Sequence, residues 1–160
     1  MIAQTFIRQF QFNQMTMTRL LADVSHDESL REIAPDGKCI NWILGHAIFA
    51  RGKLLTVLGH EPAWYKDEMT VYGGGDAGKF SAKTAKPLAD LQRLFDQSLS
   101  ILSETLPKIG TALNDPCDVL PHVSEGGTVA DRVGAFACHE AYHVGQIGLL
   151  RRLLGKPGLF

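Results

Sequence analysis

Apolar residues recur every three to four positions through four stretches of the chain, and polar or turn-forming residues separate those stretches. From Ile2 to about Val24 the stripe is Ile2, Phe6, Phe10, Met17, Leu20, Leu21 and Val24, closed by Ser25-His26-Asp27. That spacing predicts a first amphipathic helix. Ala34-Pro35-Asp36-Gly37 has the composition of a turn, after which Cys39 to Leu58 reads as a second helix ending at Gly59. Pro87 suits the first turn of a third helix, whose stripe of Leu88, Leu91, Leu94, Phe95, Leu99, Leu102 and Leu106 stops before Pro107. Thr128, with Asp131 three residues on, reads as the N-cap of a fourth helix that runs to Leu154 and ends at Gly155, with Pro157 beyond.

These elements predict an all-α fold, a four-helix bundle in one domain over residues 1–160. The connection from His60 to Lys86, between the second and third helices, is long for packed neighbours and contains Gly73-Gly74-Gly75. Either it crosses the bundle, so that the two helices it joins run in the same direction, or it covers a site. Trp64, Tyr65 and Tyr72 are its candidate anchors. A second irregular stretch, Lys108 to Gly127, leaves room for one short turn of helix.

Composition narrows the function classes. A chain of 160 residues buries roughly 70% of its unfolded surface, so neither metal nor disulfide is needed simply to fold. The net charge of -1, with signs interspersed, gives no basic stripe for phosphates and argues against nucleic acid. Cys39, Cys117 and Cys138 are odd in number and lack C-x-x-C spacing, which points to a reducing cytoplasm and away from a disulfide framework. Met1 to Arg19 is broken every few residues by Gln, Arg, Asn or Thr, so neither export nor a membrane span is expected.

The chemistry lies in His139-Glu140-Ala141-Tyr142-His143. Residues four apart share a helix face, so both imidazoles can reach one divalent cation. Read literally the motif is also H-E-x-x-H, in which zinc peptidases use the glutamate as general base. The extended form of that motif needs Gly and His where this chain has Gln146 and Leu149, and no His, Asp, Glu or Cys follows Val144. A third ligand must come from upstream, which counts against a peptidase. Of His26, His46, His60 and His122, only His46 lies well inside a predicted helix, on a stripe with Trp42, Ile43, Ala50 and Val57 that faces the bundle. His46, His139 and His143 are therefore the candidate metal ligands. Gln146, one turn past His143, is a candidate for bonding a ligand or substrate, with an ordinary interhelical amide as the alternative. Glu140 lies about 100° around the helix from His139, as a base or as a carboxylate on the surface or behind the ligands.

With Phe10-Gln11-Phe12-Asn13, Ile40-Asn41-Trp42-Ile43-Leu44-Gly45-His46 and His139-Glu140-Ala141-Tyr142-His143-Val144-Gly145-Gln146-Ile147, the chain resembles the DinB superfamily, the DinB/YfiT-like metalloenzymes, nearly end to end. The resemblance implies a bundle with a crossover connection, a three-histidine site for zinc, nickel or a similar divalent metal, and, as is frequent among members, a homodimer. It adds Asn13 to Gln146 and Glu140 as a candidate functional residue. Members include thiol-dependent S-transferases and a mycothiol-dependent isomerase, alongside many of unknown activity. The expectation is a metal-dependent enzyme acting as a transferase with a low-molecular-weight thiol, or as a small-molecule hydrolase. The alternative is a metal-binding, stress-response bundle without catalysis. Three neutral imidazoles leave a cation its full charge and an open position, and imidazole suits zinc and nickel alike. Gly134, Ala137, Ala141, Gly145 and Gly148 give the fourth helix a small-residue back, suited either to a second copy or to the chain's own first helix.

Overall fold

The computed structural model describes residues 2–33, 38–65, 69–74, 80–118 and 126–159. Among them the helices are α1 (Ile2–Leu21), α2 (His26–Ser29), α3 (Ile40–Val57), α4 (Leu88–Ile109) and α5 (Val129–Leu153), with 3-10 turns at Thr70–Tyr72 and Gly110–Asn114. The expected turn at Ala34 to Gly37, the last glycine of Gly73-Gly74-Gly75, and His122 lie outside the described residues.

α1 and α3 each pack against both α4 and α5, so they stand diagonally across the bundle. Residue pairings give the directions. Gly134 lies opposite Phe6 and Gly148 opposite Leu20, which makes α1 and α5 parallel. Arg51 meets Glu140 while His46 meets His143, so α3 and α5 are antiparallel. Asn41 bonds Lys86 and Arg51 bonds Phe95, which makes α3 and α4 parallel. Consecutive helices that run the same way need a connection as long as a helix. The chain between Val57 and Leu88 is that crossover, and it also lies against the candidate site.

The helix ends follow their caps. Thr128 accepts from the Asp131 amide while Asp131 accepts from Thr128, a capping box that opens α5, and Gly155 closes it at φ 82°. Ser25, expected only to break α1, forms a second capping box with Glu28 and starts the short α2. Pro107 does not stop α4, which continues to Ile109. Pro107 costs α4 one helical hydrogen bond without ending it, and Gly110 at φ 59° ends the helix instead. Phe10, Met17, Leu44, Ile48, Leu91 and Ile147 form the centre of the core.

Candidate metal centre

The site begins with two glycines on α3. A Cβ on Gly45 would lie 2.1 Å from a ring carbon of Tyr72, and one on Gly52 would lie 2.3 Å from Tyr65. Seven residues apart, they share a helix face, and the crossover seats its two tyrosine rings on them. Tyr72 is fully buried, its hydroxyl donates to Asn41 Oδ1 at 3.1 Å, and that hydroxyl accepts from the Lys86 amide at 2.7 Å. Trp64 is buried as well, so the aromatic residues of the crossover do anchor it.

This docking brings a backbone carbonyl to the first histidine. Tyr72 O lies 2.8 Å from His46 Nδ1. A carbonyl only accepts, so Nδ1 carries the proton and Nε2 of His46 is bare. Trp42 stacks on the same imidazole at 4.8 Å between centroids with 9° between planes. Across the gap, His143 Nδ1 lies 2.7 Å from Gln146 Oε1, again an acceptor, so His143 Nε2 is bare too. Gln146 Nε2 in turn donates to the Tyr142 hydroxyl at 2.9 Å.

One ligand nitrogen from each of His46, His139 and His143 lies within 4.8 Å of the other two. Among the described residues, no carboxylate or thiol belongs to this group. Burial pushes His139 and His143 down to about 4, helped by the neighbouring imidazoles, and lowers His46 for the same reason. All three rings are therefore neutral at pH 7, the form that binds metal. The charged groups felt by His46 and His143 are cationic: Lys38 acts on both and Lys53 on His46.

The other candidates stand apart from the cluster. Both carboxylate oxygens of Glu140 engage Arg51, and the side chain is almost fully buried, so Glu140 is neither a surface carboxylate nor aimed at the histidines. Asn13 donates to the Ala137 carbonyl at 3.0 Å and ties α1 to α5. His26 accepts from the Leu88 amide at the start of α4, and His60 is exposed. Cys39 is buried at the start of α3, and Cys138 is exposed on the α1 side of α5. Of the small residues on α5, Gly134, Ala137 and Gly148 face α1, while Ala141 and Gly145 remain exposed.

The sequence alone missed Arg51 and the role of Tyr72. Arg51 had a signal, since it stands in a helix with no other charge before Lys53, and Glu140 is the only acid after Asp131. Buried charges come in pairs. Tyr72 contributes a main-chain atom, which side-chain patterns do not reveal.

A family model, the DinB superfamily, matches residues 9–147. The chain belongs to the DinB superfamily. No curated protein matches it. In this DinB chain the conformity of the site to a cation is testable on its own atoms. Zinc–imidazole bonds of about 2.0–2.1 Å place two nitrogens of a tetrahedral site about 3.3 Å apart, and Nε2 of His139 and Nε2 of His143 lie 3.1 Å apart. His139 Nδ1 is buried and has no hydrogen-bond partner among the described residues, while its Nε2 faces His143 Nε2. A donor set of three neutral imidazoles, two with their tautomers fixed by outside acceptors, fits a divalent cation. No described helix of this DinB protein is long and apolar enough to cross a membrane.

Proposed function

We propose that this DinB protein is a metal-dependent enzyme that transfers a low-molecular-weight thiol to an electrophilic small molecule. The observation that carries the reading is the convergence of three neutral imidazoles with no described carboxylate or thiol among them. A divalent ion, zinc or nickel, held by His46, His139 and His143 would supply Lewis-acid charge and lower the pKa of a thiol or water placed beside it. The chain's own groups favour the thiol. Hydrolysis is helped by a base, and Glu140, the one acid within the motif, is held by Arg51. A thiol needs only ionisation, which the positive field of Lys38 and Lys53 supports. Trp42, stacked on His46, forms an apolar wall for the acceptor.

The test is metal analysis of the purified protein, followed by a panel of small thiols with an electrophilic acceptor. Bound metal and thiol-dependent consumption of the acceptor are expected, both lost in His139→Ala. Metal without turnover would replace the enzyme by a binding bundle, and ester or amide hydrolysis without thiol would replace transfer by hydrolysis.

The reading includes a homodimer in the cytoplasm. What supports the dimer is the strip left open by α1: Ala141 and Gly145 are exposed, with Phe12 and Leu149 exposed beside them.

A further inference from the structure

Arg51 and Glu140 are 1% and 2% exposed, one on α3 and the other on α5. Arg51 Nη2 donates to Glu140 Oε1 at 2.9 Å and Nε donates to Oε2, a two-pronged pairing. The remaining guanidinium nitrogen reaches Gln14 on α1 at 2.8 Å, and Ser98 and the Phe95 carbonyl on α4 at 2.9 and 2.8 Å. The cation also lies 3.7 Å from the Phe95 ring centroid. A single side chain thus bonds all three other long helices.

A buried ion pair is by itself weak evidence of added stability. Removing two charges from water cancels much of what their attraction returns, and well-packed apolar residues commonly fill such a place at no loss. What a two-pronged pair supplies is direction, because it tolerates neither rotation nor sliding of one partner. On α5 that constraint adds to the burial of Val133, Phe136, Ile147 and Leu150 and to the Asn13 bond. The back of the helix carries Gly134, Ala137, Ala141, Gly145 and Gly148, which offer few protruding side chains to fix its rotation. A slip of one residue would turn α5 by about 100° and shift it by about 1.5 Å, and His139 and His143 would leave His46.

We propose that Arg51 and Glu140 are positioning residues for the metal centre, setting the rotation and height of α5 against α3 so that three histidines converge. Glu140 immediately follows His139 and precedes His143 by three residues, so its anchoring constrains both rings. The inference rests on the three-histidine reading.

The experiment uses the full chain and Zn²⁺ alone, titrated against a competing chelator, with thermal unfolding measured on the same metal-free samples. In Arg51→Met/Glu140→Leu the melting temperature should stay within a few degrees of wild type while zinc binding weakens about 10–100-fold, the scale of losing a group that orients a ligand. Arg51→Lys keeps the charge and loses the fork, and should weaken zinc binding as well; it carries the test if the double variant fails to fold. Wild-type zinc affinity in either folded variant would overturn the assignment. So would affinity and melting temperature falling together, which would make the pair a general element of stability. A wild type that binds no zinc, unchanged by His139→Ala, would remove the histidine reading and this inference with it.

Discussion

The carbonyl of Tyr72 lies 2.8 Å from His46 Nδ1, and the ring of Tyr72 occupies the space that a Cβ on Gly45, the preceding residue of α3, would need. One residue of the crossover therefore both locks the segment to the bundle and selects the tautomer of a candidate ligand histidine. Asn41, Gly45 and His46 all contact Tyr72, and Trp42 packs on His46, which gives the Ile40-to-His46 motif a physical reading as a docking surface.

Gly45→Ala tests that reading. The added methyl would sit 2.1 Å from a Tyr72 ring carbon, so the ring must move. Overpacking of this kind costs about 1–3 kcal/mol, against a gain of up to about 1 kcal/mol from helix propensity. Denaturant unfolding should show a net loss, and zinc titration should show weaker binding as His46 loses its acceptor. Stability at or above wild type would show that the tyrosine is not locked there.

Gln146→Leu removes the acceptor facing His143 Nδ1. Without it the imidazole is free to protonate Nε2, the atom turned toward His139. Metal affinity should fall about 10–100-fold, while Gln146→Glu, which keeps an acceptor, should retain most of it. Equal affinities in wild type and the leucine variant would assign the amide no part in the site.

Acid should destabilise the metal-free protein in a defined window. His139 and His143 sit at about 4 in the folded chain against the usual 6.5. Between those values the unfolded chain takes up protons that the folded chain refuses, so stability present above about pH 6.5 is lost as pH falls toward 4. Urea unfolding at pH 7.0, 5.5 and 4.5 should show this decline, and His139→Gln/His143→Gln should flatten it. A wild type equally stable at pH 7.0 and 4.5 would contradict the shifts.

The exposed position of Ala141 allows a test of assembly that leaves the histidines alone. Size-exclusion chromatography should give a dimer for wild type and a shift toward monomer for Ala141→Leu, with metal content unchanged. A wild type monomeric at high concentration removes the homodimer.

The sequence exposed the histidine cluster because each ring has an identifiable helix face: His139 and His143 repeat at four residues, and His46 shares a stripe with Trp42 and Ile43. The crossover was legible from its length, since packed antiparallel helices need only a few residues between them. The place of Glu140 stayed open because an acid one position from a candidate ligand is ordinarily solvated, and only tertiary contact with Arg51 makes its burial tolerable. Pro107 misled at the end of α4 because a helix can carry a proline at the loss of one hydrogen bond, so the residue does not by itself mark an end.

The parallel course of α3 and α4 also orders events during folding. His139 and His143 become neighbours as soon as α5 coils, a local event on the submicrosecond scale. His46 joins them only when α3 has packed against α5, with α4 and the crossover enclosed in the intervening loop, a closure that carries a chain-entropy cost. A cation gripping all three rings would therefore recognise the finished topology and not its parts, and its concentration would become a thermodynamic weight on the native fold.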